Sequence, residues 1–201
     1  MKLDPKFSKL LIVINCSVPG AIMIYDAFRH QLGVNPVEFA LRTTGLLALI
    51  FLLLTLCITP LRRLINSNFP SHFRRTLGLY AFWYALAHMM IYFIFDRSLD
   101  LNSTIEDIIN RPFILLGSLS LLLLIPLAVT STNGMIKRLG AKRWKMLHKL
   151  VYLCAILGVV HYYLLVKADK FQPTIFAIVL CVLLAYRLLP ARKKPARLVT
   201  A

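Results

Sequence analysis

The chain is a succession of long apolar runs separated by short polar connections. Six runs stand out, over residues 10–28, 44–61, 77–95, 113–130, 147–166 and 174–189. A helix needs about 20 largely apolar residues to cross a bilayer core of roughly 30 Å, so each run is read as a transmembrane helix. The second, third and fourth contain no Asp, Glu, Lys or Arg. The first is the least regular, holding Asn15, Pro19 and Asp26 behind Lys2, Lys6 and Lys9. That charge pattern resembles a signal peptide, but no small-residue cleavage site follows, and the run is expected to remain as a first span. The runs are Leu-rich and unbroken rather than alternating, which predicts helices and excludes a barrel of strands. The expected fold is all-α: one polytopic domain over residues 1–201 with six transmembrane helices.

Composition sharpens this picture. Of 201 residues, 59% are hydrophobic and 16% charged, against about 45–50% and 25% in soluble domains. A mean hydropathy of +0.72 excludes both an ordinary soluble domain and a disordered chain. The connections are short and no glycine-rich phosphate fingerprint occurs, so nothing here builds a nucleotide-binding domain. No internal repeat suggests the inverted halves of a transporter.

Charge then sets orientation. Twenty-four Lys and Arg against eight Asp and Glu give a net charge of +16. Eighteen of the cations fall in four places: Lys2, Lys6 and Lys9; Arg62, Arg63, Arg74 and Arg75; Lys137, Arg138, Lys142, Arg143, Lys145 and Lys149; and Arg187, Arg192, Lys193, Lys194 and Arg197. With six spans, all four places lie on one side. Seven of the eight acids (Asp26, Glu38, Asp96, Asp100, Glu106, Asp107 and Asp169) lie on the other. Cytoplasmic loops keep the excess of Lys and Arg, which predicts that both termini are cytoplasmic. The positive charge is a topology signal facing membrane lipid, and no nucleic-acid partner is expected, because aromatic residues do not interleave with it.

Candidate chemistry comes down to histidines. Cys16, Cys57, Cys154 and Cys181 each lie in an apolar run, with no CxxC and no CxxCH, and are read as packing residues. No Ser/His/Asp, Cys/His or paired-carboxylate arrangement offers a hydrolytic site. An ionisable residue within the membrane is a functional candidate because burying it without a partner is costly. His88 lies roughly 3 Å beyond the midplane of the third span, and His161 roughly 6 Å beyond that of the fifth, at 1.5 Å per residue. Two imidazoles at matching depth on two helices suit axial ligation of one haem iron. The apolar porphyrin would lie among Phe82, Met89, Met90, Leu157 and Tyr162. His148 stands 13 residues before His161, roughly 20 Å lower and about 220° further round the helix. A second centre there requires a different approach or a bent helix. His72 and His30 are connection residues. Arg74, Arg75, Lys142 and Arg143 are suitable for propionates but equally for the cytoplasmic face, Trp144 suits an interfacial anchor, and Gly78, Gly117 and Gly158 suit close helix packing. Rival readings are a histidine-containing transporter, a haem exporter or a haem-free assembly factor.

The motifs at this spacing carry a resemblance. Phe73-Arg74-Arg75-Thr76-Leu77-Gly78-Leu79 leading to His88, Arg111-Pro112-Phe113, Thr130-Ser131-Thr132, and Arg143-Trp144 with Leu147-His148-Lys149-Leu150-Val151-Tyr152 are its core. Leu56-Cys57-Ile58-Thr59-Pro60-Leu61 adds to it. Together they resemble the MsrQ (formerly YedZ) family, the haem-binding membrane subunit of the periplasmic protein-methionine-sulfoxide reductase system. More distantly they resemble the ferric reductase and NADPH oxidase transmembrane domain.

The resemblance implies a six-helix cytochrome b holding one or two haem b, with FMN also implied. It implies an electron-transfer subunit rather than a complete enzyme. Electrons would come from the quinone pool or a cytoplasmic flavin reductase and go to a periplasmic molybdopterin methionine-sulfoxide reductase catalytic subunit, MsrP, which repairs oxidised proteins. The family's three histidines map onto His88, His148 and His161 as axial-ligand candidates, and no motif places an FMN site. The wider superfamily has two histidines on each of two helices. Here Arg74 stands 14 residues before His88, so an inner haem is missing or differently ligated. With no flavin–NAD(P)H domain in the chain, the donor is expected to be another molecule. A stand-alone ferric reductase-like cytochrome b is the nearest alternative.

Overall fold

A computed structural model describes residues 4–189. Lys2, Arg192, Lys193, Lys194 and Arg197 lie outside the described residues. Eight α-helices follow one another: α1 (Pro5–Phe28), α2 (Pro36–Leu64), α3 (Arg74–Ile91), α4 (Leu101–Asn110), α5 (Pro112–Val129), α6 (Asn133–Leu147), α7 (Leu150–Leu165) and α8 (Phe171–Leu188). A 3₁₀ turn, Phe69–Phe73, leads into α3, and a π-helical turn, Tyr92–Asp96, closes it. There is no strand among the described residues.

The starts follow local chemistry. Asp4, Asn35, Asp100 and Thr132 each accept a hydrogen bond from a backbone N–H of the first turn, and proline opens α1, α2 and α5, where its missing N–H leaves no gap. The helices outrun the apolar stretches. The 29 residues of α2 span roughly 43 Å, more than the hydrocarbon core, so its polar ends emerge on both sides.

Among the described residues five helices are long and apolar enough to cross a membrane, and a sixth crossing is reached only if α6 and α7, bent by 44°, form one span. This departs from the continuous span expected over residues 147–166. The break falls at His148 and Lys149. Behind it, α6 is a basic helix interrupted at Gly140 (φ 73°, ψ 150°), and α7, with 16 residues, is short for a span by itself.

The centre of the bundle is α2. Half of its apolar window is buried against other helices, compared with 11% for α1. It packs along α3, while α5 packs along α7, and α8 closes the side between α2 and α7. Leu49, Leu52, Leu56, Ala81, Tyr84, Leu124, Cys154, Ala155 and Val159 form the core between them. Hydrocarbon is as apolar as leucine, so polar contacts to backbone matter more than apolar burial in choosing this arrangement. The Tyr84 hydroxyl donates to Cys16 O (2.8 Å) and accepts from Gly20 N–H (3.0 Å), beside Pro19, which ties α1 to α3. Ser120 Oγ donates to Cys154 O (3.0 Å), joining α5 to α7. Pro60 has no N–H to give Leu56 O, and Arg187 Nη2 of α8 takes that carbonyl at 3.1 Å.

Candidate functional site

α3 and α7 bring His88 and His161 together. Their ring centroids are 6.2 Å apart and their planes lie at 82°. Each ring is tethered to the helix packed behind it. His88 Nδ1 donates to Leu41 O of α2 (2.9 Å), and His161 Nδ1 donates to Phe113 O of α5 (2.5 Å). A carbonyl only accepts, so both Nδ1 atoms carry the proton and the lone pair of each neutral ring resides on Nε2. Phe113 also sets its ring against His161, at 6.3 Å.

This arrangement fits an axial pair. Two metal–nitrogen bonds of about 2.0 Å, with about 1.1 Å from each nitrogen to its ring centre, place the centroids roughly 6 Å apart. A tethered Nδ1–H with a free Nε2 is the usual state of a metal-bound histidine. Among the described residues no three His, Cys, Asp or Glu side chains cluster as a metal site. A porphyrin, which fills four iron positions itself, needs only two. Of the residues expected to line such a disc, Phe82 and Tyr162 pack against the core. Met90 instead faces outward, 41% exposed, because the face of α3 that carries it points away from the other helices.

His148 is not brought to this pair. It caps α6 at the bend, stacked on Trp144 with centroids 4.0 Å apart. Its Nε2 contacts Thr130 Oγ1 (3.1 Å), whose hydroxyl already donates to Pro126 O (2.6 Å). A threonine has one proton, so the histidine nitrogen is the donor and Nδ1 is the free atom, the reverse of the other two rings. Trp144 Nε1 donates to Thr130 O (2.9 Å), so one threonine at the end of α5 fixes both rings. His72 Nδ1 donates to Phe69 O (3.0 Å) in the 3₁₀ turn, and His30 lies in an exposed loop.

Around His148 lies an end of the bundle rich in arginine. Arg74 Nη2 donates to Thr59 Oγ1 and Arg75 Nη2 to Asn133 Oδ1, both at 2.8 Å. Arg187 lies over the Tyr152 ring (4.7 Å) and bonds its hydroxyl. Thr59 and Leu56 are one turn apart on α2, so Arg74 and Arg187 converge on the same turn. At the other end, one turn beyond His88, the Tyr92 hydroxyl donates to Asp107 Oδ2 (2.5 Å), and Asp107 also pairs with Arg97 and Arg111.

The sequence had singled out the histidines, but not what holds them. Leu41 O, Phe113 O and the reversed bond of His148 are backbone and tautomer features with no side-chain signature. Tyr152, Asn133 and Arg187 gave only the weak signal of polar residues at the edges of apolar runs.

Comparison with known proteins shows the family of the chain. Residues 44–159 match the family described as ferric reductase like transmembrane component, a stretch that includes His88 and His148 and stops short of His161. Three relatives bear the name protein-methionine-sulfoxide reductase heme-binding subunit MsrQ. The protein from Herminiimonas arsenicoxydans is 46% identical over 94% of this chain and 88% of its own length. That from Rhodospirillum rubrum is 45% identical over 94% and 91%, and that from Caulobacter vibrioides 43% over 93% and 89%. Similar in sequence over more than nine-tenths of its length and built as a helical bundle of up to six crossings, the chain belongs to the MsrQ family of ferric reductase-like membrane proteins.

Proposed function

We propose that this chain is the haem b electron-transfer subunit of a methionine-sulfoxide reductase system in the bacterial inner membrane, with both termini cytoplasmic. The observation that carries the reading is the pair His88–His161, 6.2 Å apart with both Nδ1 atoms engaged. When bound, haem b would supply a reversible one-electron centre. His88 and His161 would hold its iron through Nε2, Leu41 and Phe113 would keep the two protons on Nδ1, and the helices would exclude water.

The basic end is the donor side in this reading. Arg74, Arg75 and Arg187 suit an anionic cofactor such as FMN and a flavin reductase as donor, the quinone pool being the neutral alternative donor. The engaged Nε2 of His148 favours a place facing that donor over a second bis-imidazole centre, which makes one haem per chain the expected count. The acidic end faces the acceptor, the periplasmic molybdopterin catalytic subunit MsrP. A stand-alone ferric reductase-like cytochrome b uses the same centre and differs only in its acceptor.

The test is a reduced-minus-oxidised spectrum of the detergent-purified protein, with haem per chain by pyridine haemochrome. Sharp low-spin b-type bands are expected, and His88→Ala and His161→Ala each abolish them. Normal haem content in either variant would sink the assignment, and no haem in the unaltered chain after expression with ample supply would favour a transporter or scaffold. Reduction of the purified MsrP subunit, against reduction of ferric chelates, separates the two acceptors.

A further inference from the structure

We propose that Gly45 and Gly117 are the positioning residues of His88 and His161, and that together they fix the near-perpendicular setting of the two rings. The proposal rests on the ligation reading above.

Helix geometry gives the reason. A side chain leans toward the N-terminus of its helix and covers the turn before it, so residue i+4 shields the carbonyl of residue i from the side. Leu41 O and Phe113 O are the acceptors of the two histidines, and the residues four further on are Gly45 and Gly117. In each case the ring occupies the volume that a side chain would take. A Cβ on Gly45 would lie 3.0 Å from His88 Nδ1 and 3.1 Å from its Cε1. On Gly117 it would lie 2.8 Å from His161 Nδ1 and 3.0 Å from Cε1. Contacts below 3.0 Å force a shift, whereas those just above it need a few tenths of an ångström.

The device occurs twice, once in each of the two closely packed helix pairs, α2 with α3 and α5 with α7. The histidine follows its carbonyl by 47 residues in one pair and by 48 in the other. Gly78, on α3, is different: its nearest neighbour would be Thr55 Cγ2 at 3.9 Å, an ordinary contact. Gly45 and Gly117 thus do something that small size for helix packing does not require. They let a partner ring reach a backbone acceptor, and the acceptor then fixes tautomer and ring plane. Groups that hold a ligand's second nitrogen tune metal affinity by roughly 10–100-fold and set the ligand's orientation.

The experiment uses the full-length, haem-loaded protein with Gly45→Ala, Gly117→Ala and Gly78→Ala. Haem per chain, the low-spin ferric electron paramagnetic resonance signal and the midpoint potential are measured beside size-exclusion and circular-dichroism checks of folding. The resonance signal reports the angle between axial ring planes, which loss of helix packing elsewhere does not change. Gly117→Ala is expected to retain haem roughly 10-fold less well or worse, and Gly45→Ala less severely. Both should have a shifted signal and potential, while Gly78→Ala matches the unaltered protein. If Gly117→Ala does not assemble, Gly45→Ala decides: a shifted signal supports the proposal. An unchanged signal, potential and occupancy in the folded glycine variants overturns it. His88→Ala and His161→Ala run in parallel. Retained haem there defeats the ligation reading itself, whereas lost haem there with unchanged glycine variants defeats only the positioning role.

Discussion

Three of the four arginines at the acidic end of the bundle are ion-paired, Arg29 with the Tyr25 hydroxyl and ring being the exception, whereas the described ones at the basic end are not. At the acidic end Arg97 pairs with Asp107 and with Asp96 (3.4 Å), Arg111 with Asp107 (3.0 Å), and Arg42 with Glu38 (3.6 Å). At the basic end Arg74 finds a threonine hydroxyl, Arg75 an amide, Arg187 a phenol and a backbone carbonyl, and Arg63 the Leu189 carbonyl (3.3 Å) with the Tyr186 ring beneath it. Among the described residues no cation of that end has an ion pair. Its one acid, Asp4, caps α1. Neutral acceptors satisfy the N–H groups of a guanidinium but leave its charge uncancelled. The charges of the acidic end largely cancel, six cations against seven acids, whereas the basic end keeps a field for an anionic partner.

The largest effect that would test this difference is at Asp107. Its side chain is 12% exposed and serves Tyr92, Arg97 and Arg111 at once. Asp107→Asn leaves Arg111 without a counter-charge and Arg97 with only the longer contact to Asp96 (3.4 Å), and is expected to destabilise the folded protein by about 2–3 kcal/mol, less than for a fully buried pair because Arg111 is half exposed. Unfolding in detergent followed by circular dichroism measures it, and a change below about 0.5 kcal/mol, the range of an exposed pair, would show that the acidic end does not depend on pairing.

A smaller effect is expected at Arg187. Arg187→Met removes the cation together with its desolvation, and only Leu56 O and the Tyr152 hydroxyl lose a partner. The expected loss is about 1 kcal/mol. Pro60→Ala supplies the missing N–H to Leu56 O, so in the double variant part of that loss should return; strict additivity would contradict the account of the freed carbonyl. Smallest of all is Glu38→Gln, where both side chains are more than half exposed. It should change stability by no more than a few tenths of a kcal/mol, and a larger change would mean that the acidic end is more strongly coupled than its solvent exposure indicates.

Legibility in the sequence varied in the same way from one feature to another. The apolar runs announced the helices that cross, because the length of hydrocarbon to be covered is a property of composition alone. The connections were read as short links, yet α4 and α6 are helices. Their amphipathic or basic patterns over 10 and 15 residues satisfy an interface rather than a span. The bend at His148 was missed as a break, since apolar residues continue through Leu147 and Leu150. Thr130 and Trp144, from a helix end and the preceding turn, anchor the ring where the chain changes direction.

By itself, the sequence determined which segments are long and apolar enough to cross a membrane, which end keeps the positive charge, and that His88 and His161 lie at matching heights on their helices. These follow from hydropathy, loop charge and a rise of 1.5 Å per residue, all of which are additive along one chain. The tertiary structure alone decided that the two rings face one another at 82°, that their protons reside on Nδ1 while that of His148 resides on Nε2, and that Pro60 gives Arg187 a carbonyl. Each of those depends on a backbone acceptor in a different helix. Every residue has such an acceptor, so its position in the sequence carries no mark, and only the packing of α2 on α3 and of α5 on α7 brings it within reach.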